Sequence, residues 1–459
     1  MKKQPILPKS ILWTSMLVLP FTLVMLTLHL LAVSAAPDVS GDLDAGFGAG
    51  GSVTIPISGT NQIGRAVAIQ PDGKLVIAGY HNWNTGKSDL ILARTNTDGS
   101  LDTSFGAGGI VTTSLSSGDD TAYAVAVQPD GKIVAAGLST QSGVSIAAVV
   151  RYNTDGSLDA TFGANGAVTT SLFPDSAFLL SVAVLNDGRI VAGGSVISSS
   201  SAPNTFLLIR YQANGALDTT LGGSGVVTTT IPVGDANSWG MAVQSDGKVL
   251  LGGFVRPPSG FTDFALARYN MDGSLDTSFG SGGIVTQTIA ATDYGYGLVV
   301  QTSGKIIIGG KSGSNAALAR YNSDGSYDNS FGPITSTNFI TYAVPGYIST
   351  SVGDLTLQNN DYVVVAGGAY TPTQVSPVTV AVFDQDGRPD TNFGAGGIAV
   401  TINGTHFASG RAVLVQPDDK IVMAGYIDLD DAFSSYEYDL ALWRYDYFAF
   451  QIYLPTITK

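Results

Sequence analysis

Residues Arg151–Gly163 read RYNTDGSLDATFG, and residues Arg268–Gly280 read RYNMDGSLDTSFG. A catalytic loop is needed once in a chain, so a segment spelled repeatedly belongs to the architecture. Working outward, the Asp of the LD pair recurs at Asp44, Asp102, Asp159, Asp218, Asp276, Asp328 and Asp390. The successive spacings are 58, 57, 59, 58, 52 and 62 residues. Each unit carries four apolar runs: one like GGIVTT, an alternating one like AVAVQPDGK, one like IVAAG and one like ALARYN. Their β-branched content, short length and Gly/Asp/Asn punctuation predict strands and no helices. The QPDGK turns (Gln70–Lys74, Gln128–Lys132) and QSDGK (Gln244–Lys248) join the second and third runs, because Asp and Gly tolerate tight-turn backbone angles.

Seven four-stranded antiparallel sheets bury both faces against their neighbours when they close into a ring. The predicted fold is therefore all-β, a seven-bladed β-propeller. A parallel β-helix fits less well, since its coils repeat at nearer 20 residues. The phase of the repeat adds a closure. The first strand, Ser52–Pro56, has no preceding unit to complete, and the last unit ends at Leu440–Tyr445. If AVAVQ is the innermost strand, Ser52–Pro56 is the outer strand of blade seven, and the N-terminal strand closes the ring.

The 459-residue chain is 44% apolar, enough for a large core. Lys2, Lys3 and Lys9 precede an apolar run from Ile11 to about Leu31, and AVSAAP follows, so residues 1–35 read as a signal peptide cleaved after Ala35. The alternative is an N-terminal membrane anchor, which Pro20 and His29 weaken. The propeller is assigned to residues 36–449, and residues 450–459 to a C-terminal tail. There are no cysteines, which removes disulfides and thiolate chemistry. The net charge of −14 becomes −17 without the three N-terminal lysines, and such acidity excludes a phosphate-binding surface for nucleic acid.

GxLDxxFG, the QPDGKIVAAG element and ALARYNxDG together resemble the delta-60 repeat, a bacterial extracellular β-propeller-like family, across nearly all of residues 41–446. The resemblance implies an exported propeller and no common catalytic activity. Departures are local. Leu221 replaces Phe, Tyr327 and Pro389 replace Leu, and the turns QTSGK and QNNDY are altered, which makes blade six the most irregular.

Within each unit an Arg ends the strand before the LD pair, at Arg94, Arg151, Arg210, Arg268, Arg320 and Arg444, and in the first five the Asp follows eight residues later. A bidentate, partly buried Arg–Asp latch is expected. Blade six has Val382 instead, so Asp390 is expected to lack that partner. The NxDGxxD spacing places Asn96, Asp98 and Asp102, Asn153, Asp155 and Asp159, and Asn270, Asp272 and Asp276 somewhat like calcium ligands. Turn capping by the same side chains is the preferred reading, with calcium the one cofactor candidate.

Recurring residues serve the fold, so function is sought where units differ. The QPDGK turns and the DGSLD connections share one face, and the variable connections share the other. Recognition is expected there, through the aromatics Trp83, Trp239, Phe261, Tyr294, Tyr296, Tyr370 and Phe433. Asp120, Asp175, Asp235 and Asp293 each lie 8 to 10 residues before the position ending an inner strand, and are expected near the mouth of the central channel. After export only His81 and His406 remain, and HxxxH and GxSxG are absent, so zinc and α/β-hydrolase chemistry lack their parts. The preferred reading is a secreted or cell-surface, monomeric, non-catalytic binding propeller for an extracellular glycan, protein or cation. It touches membrane only through an uncleaved N-terminal segment. The alternative is a propeller hydrolase or lyase using the four mouth carboxylates.

Overall fold

The computed structural model describes residues 40–57, 61–83, 87–333, 337–371, 376–404, 406–428 and 438–447, with the side chains of residues 82 and 83 excepted. The expected signal segment, the C-terminal tail, Phe433 and the Trp83 side chain lie outside the described residues. The described residues form 28 strands and no helix. After β1 (Ser52–Ile55), blade one is β2 (Asn61–Ile69), β3 (Leu75–Trp83), β4 (Lys87–Thr95) and β5 (Ile110–Thr113). Blade two is β6 (Asp120–Val127), β7 (Ile133–Gln141), β8 (Val144–Tyr152) and β9 (Ala167–Thr170). Blade three is β10 (Ser176–Val184), β11 (Ile190–Ile197), β12 (Thr205–Tyr211) and β13 (Val226–Thr229). Blade four is β14 (Asp235–Val243), β15 (Val249–Arg256), β16 (Asp263–Tyr269) and β17 (Ile284–Gln287). Blade five is β18 (Asp293–Val300), β19 (Ile306–Ser312), β20 (Asn315–Tyr321) and β21 (Phe339–Tyr342). Blade six is β22 (Ser349–Leu357), β23 (Val363–Tyr370), β24 (Val378–Phe383) and β25 (Ile398–Thr401). Blade seven is β26 (Ala408–Val415), β27 (Ile421–Asp428) and β28 (Tyr438–Tyr445), completed by β1 in the order β1-β28-β27-β26.

All pairings within blades are antiparallel, and Ser52 faces Trp443 while Ile55 faces Leu440. The closure expected from the phase of the repeat is therefore present. The inner strands β2, β6, β10, β14, β18, β22 and β26 touch in a complete circle, including β26 against β2. Seven apolar clusters fill the seven interfaces between blades. Between blades seven and one, for example, Phe47 and Ile55 pack with Ile77, Ile91, Val422 and Leu442. Each blade thus completes its core on both neighbours, which is why no unit can be spared.

The Arg–Asp latch exists in six blades, with more members than the spacing indicated. Arg94, Arg151, Arg210, Arg268 and Arg320 donate Nε to Oδ2 of Asp102, Asp159, Asp218, Asp276 and Asp328 at 2.6–2.8 Å. In these five the fork is not bidentate on the carboxylate as expected. Its Nη1 instead reaches the carbonyl of Thr154, Ala213, Met271, Ser323 or Gln385, in the turn of the next blade. The cation of the QPDGK turn joins the same oxygen, as with Lys74 on Asp102 at 2.9 Å and Lys420 on Asp44 at 2.7 Å. Oδ1 caps the chain two residues on, as with Ser104 on Asp102. Burial opposes ionisation of Asp102, but the Ser104 hydroxyl, the Lys74 ammonium and the Arg94 guanidinium hold its carboxyl well below the usual aspartate range. The guanidinium also lies over a ring of the FG element, as Arg94 does over Phe105 at 4.4 Å.

Arg444 takes its Asp from the other end of the sequence: Asp44 Oδ2 accepts from its Nε at 2.7 Å and its Nη2 at 2.6 Å. Blade six has lost both cations, with Val382 for Arg and Tyr362 for Lys. Asp390 accordingly lacks the arginine, as expected, and accepts from the Tyr447 hydroxyl at 2.8 Å instead.

Candidate site in the central channel

Every inner strand carries a bulge at the same place. The register slips between Gly64 and Ala66, Ala122 and Ala124, Leu179 and Ser181, Ser238 and Gly240, Gly295 and Gly297, Val352 and Asp354, and Gly410 and Ala412. The extra residues are Arg65, Tyr123, Leu180, Trp239, Tyr296, Gly353 and Arg411. A bulge leaves one residue outside the ladder and re-aims its side chain. All seven line one cavity of about 480 Å³ at the ring's centre, within the range of small-molecule sites of about 300–1,000 Å³.

A constant glycine makes the bulge fit. Fourteen residues after each bulge lies Gly79, Gly137, Gly194, Gly253, Gly310, Gly367 or Gly425. A Cβ at any of them would fall 1.7–2.0 Å from the backbone oxygen of the inner-strand residue two before the bulge, for example Asn237 O for Gly253. Only glycine permits that approach. The scaffold position is thus invariant through the repeats while the channel position takes five residue types in seven blades.

The side chains sort around the ring. Trp239 meets Tyr296 edge-on at 5.5 Å, Tyr296 stacks with Tyr294 at 6.3 Å, and Tyr294 meets Phe254 edge-on at 4.8 Å. Burial pushes the Tyr296 phenol up to about 12. On the other side, Arg65 lies over Tyr80 at 5.6 Å and Tyr123 at 5.5 Å, and Arg411 lies over Tyr426 at 5.5 Å. Behind Arg411, Tyr426 packs on Tyr438 and Phe407, and Phe407 on Tyr370.

One carboxyl enters the cavity among the described residues, that of Asp354. It follows Gly353, the one bulge without a side chain, and the other blades have Ala66, Ala124, Ser181, Gly240, Gly297 and Ala412 at its position. Oδ1 accepts from Leu355 N at 2.8 Å and Oδ2 from Val413 N at 3.2 Å. Burial in the middle of the fold outweighs these donors and pushes the carboxyl up to about 7. Between the ordinary aspartate value and 7 the folded chain holds a proton that the unfolded chain has lost, so this group's contribution to stability falls as pH rises through that window. Asp354→Ala removes the effect. Relative to wild type, the variant will gain about 1–3 kcal/mol between pH 5 and pH 8 in denaturant unfolding, the partly solvated carboxyl keeping the figure below full conversion of the shift. Equal pH dependence of the two proteins would exclude the charge.

Of the residues the sequence singled out for binding, Trp239, Tyr294 and Tyr296 line the cavity, and Tyr370 sits behind it on Phe407. Phe261 is 56% exposed in the connection after β15, away from the channel. Asp120, Asp175, Asp235 and Asp293 do not line the cavity. They stand where inner strands begin and cap loops: Asp120 accepts from Leu115 N and Ser116 N, Asp175 from Ser199, Asp235 from Asn204 N, and Asp293 from Ile289 N and Ala290 N. The polar atoms of the calcium candidates point to different partners. Asn96 and Asp98 turn to Ser100, Asn153 and Asp155 to Ser157, and Asn270 and Asp272 to Ser274. Asp102, Asp159 and Asp276 sit in the latch. Among the described residues no group of three or more His, Cys, Asp or Glu is placed to hold a metal. The sequence reading missed Arg65, Tyr123, Leu180, Arg411 and Asp354. The signal that finds them is distance: each bulge residue lies five before the residue that follows its inner strand, Gln in six blades and Leu185 in the third, and Asp354 stands next to its bulge.

Five repeats match a known family model. It is the domain of unknown function (DUF5122) beta-propeller, matched at residues 70–105, 128–162, 185–221, 244–279 and 301–331. The matched segments begin at the turn after each inner strand and run through the latch of blades one to five. No curated protein matches the chain. Among solved structures, a protein of unknown function from Dyadobacter fermentans is similar at 13% identity and a TM-score of 0.47, covering 86% of this chain and 97% of its own. A catalytically inactive virginiamycin B lyase from Staphylococcus aureus is similar at 10% identity and 0.45, covering 85% and 98%. The β-propeller domain of the Trilobed protease from Pyrococcus furiosus is similar at 10% and 0.45, covering 87% and 99%.

Proposed function

We propose that this chain is an exported binding propeller of the delta-60 type that holds an extracellular ligand in its central channel without turning it over. The observation that carries the reading is the contrast at the bulges. Seven glycines are constant behind them, while Arg, Tyr, Leu, Trp, Tyr, Gly and Arg stand in front. A channel under only structural demand has no need for five residue types on seven equivalent scaffolds. The aromatic strip Trp239–Tyr296–Tyr294 offers the stacking surface that a sugar or peptide ring uses. Export is supported by the basic start, the apolar run and the small-residue cleavage sequence before Pro37. The reading asks for no cofactor and for a monomer.

A hydrolase or lyase reading now rests on Asp354, a carboxyl whose proton is exchanged near neutral pH in a cleft. Two-carboxylate hydrolysis would need a second acid, which the cavity lacks among the described residues.

A glycan array and a hydrolase screen on one purified preparation test both readings. Binding without product is the expected result. Trp239→Ala should weaken the array hit about 30-fold, the scale of losing a central aromatic anchor, with little change in melting temperature. Full binding by this variant would remove the channel from the account, and product formation abolished by Asp354→Asn would favour the enzyme.

A further inference from the structure

The bulge ring carries its positive charge on one side. Arg65 and Arg411 occupy equivalent positions of blades one and seven, which are neighbours across the ring closure. The six latch arginines each have a carboxylate at 2.6–2.8 Å. Arg65 and Arg411 have none among the described residues, although the chain carries 36 acids. Their only donated bonds there go to phenols, Arg65 to Tyr80 at 3.4 Å and Arg411 to Tyr426 at 3.0 Å. The Nε of each is buried without an acceptor among the described residues.

A guanidinium cannot shed its proton, and its planar fork matches a carboxylate. Both cations lie over tyrosine rings and donate one bond each to a phenol, which leaves further donors for something else. Asp354, the one carboxyl in the cavity among the described residues, does not fill that role, since its oxygens accept from Leu355 N and Val413 N. Across the channel from the two arginines stand Leu180, Trp239 and Tyr296, without charge.

We infer that the channel binds a small organic anion, a carboxylate carried on a ring, with the carboxylate on Arg65 and Arg411 and the ring against Trp239 and Tyr296. The inference rests on the channel being the ligand site and adds the class of ligand. A ring acid can come from a sugar or from an aromatic compound, so the test uses both.

Trp239 fluorescence and calorimetry would follow titration with glucuronic acid against glucose, and with 4-hydroxybenzoate against 4-hydroxybenzyl alcohol. At least one acid is expected to bind, and its neutral partner to bind at least 10-fold more weakly. The responding acid identifies the source. Arg411→Met and Arg65→Lys, the second keeping the charge but not the fork, should each cost at least 10-fold for that acid and weaken its neutral partner less. Equal binding of acid and neutral partner, failure of both acids, or wild-type acid affinity in both variants would overturn the inference. The broader channel reading is judged separately, by whether the array hit depends on Trp239. An array hit that needs Trp239 but shows no preference for acids sinks only the anion, whereas a hit indifferent to Trp239 sinks the channel.

Discussion

Deleting residues 50–57 will sharply destabilise the whole ring, by about 5 kcal/mol or more. The deletion removes the four ladder positions of β1 against β28 and takes the Ile55 side chain out of the core between blades seven and one. Full burial of one such side chain contributes about 1.5–3 kcal/mol, and the backbone groups of β28 lose their partners in addition. The Gly51 carbonyl that accepts from Arg444 N goes with it. Thermal melting followed by far-UV circular dichroism is the measurement, and an unchanged melting temperature would show that the ring does not depend on its clasp. Asp44→Ala isolates the ionic part. It leaves Arg444 without a carboxylate while Lys420 keeps Asp446 at 2.7 Å, at a cost of about 2–4 kcal/mol once screening at the partly exposed lysine is allowed for.

The second large effect is expected at a residue with no side chain. Gly253→Ala places a Cβ 2.0 Å from Asn237 O, a backbone atom held in a ladder, and the bulge that presents Trp239 must yield. Overpacking of this kind costs about 3 kcal/mol, and here the Trp239 emission should change with it. Gly252→Ala is the internal control. Its Cβ would meet the ends of Leu266 and Leu298 at 3.1–3.3 Å, side chains that can rotate aside, so about 1 kcal/mol is expected. Denaturant unfolding of the two variants checks the ranking, and equal costs would mean that the bulge is not what the glycine serves.

Much of the ring is written in the chain. The four runs per unit became the four strands, and the unpaired Ser52–Pro56 segment announced its place in blade seven because a ring built of whole blades has no other vacancy. Arg and Asp eight residues apart were legible as partners since each unit repeats them. The lysine of QPDGK was read only as part of a turn, although it shares the same carboxylate oxygen. Its role shows in blade six, where Val382 and Tyr362 replace both cations at once.

The site was less legible. A bulge inserts one residue and shifts the alternation of its strand, and among small and β-branched neighbours nothing in the one-dimensional pattern singled out Arg65 and Arg411. Their significance lies in a glycine fourteen positions away, which one-dimensional inspection treats as strand punctuation. Trp239, Tyr294 and Tyr296 were found because aromatics are conspicuous. Asp120 and Asp293 were found for their distance from the strand end, and that distance also suits a side chain that ties its own loop to the strand, which is what both do.

The strand that completes blade seven also has a protective duty. Until Ser52–Ile55 seats, Leu440–Trp443 is an open sheet border of three apolar side chains and an alanine, a template on which any extended segment of another chain can pair. The meeting joins residues nearly four hundred positions apart, so it belongs to the slow end of folding. Anything that delays the two ends finding each other lengthens the time for which this border stays open to pairing with another chain.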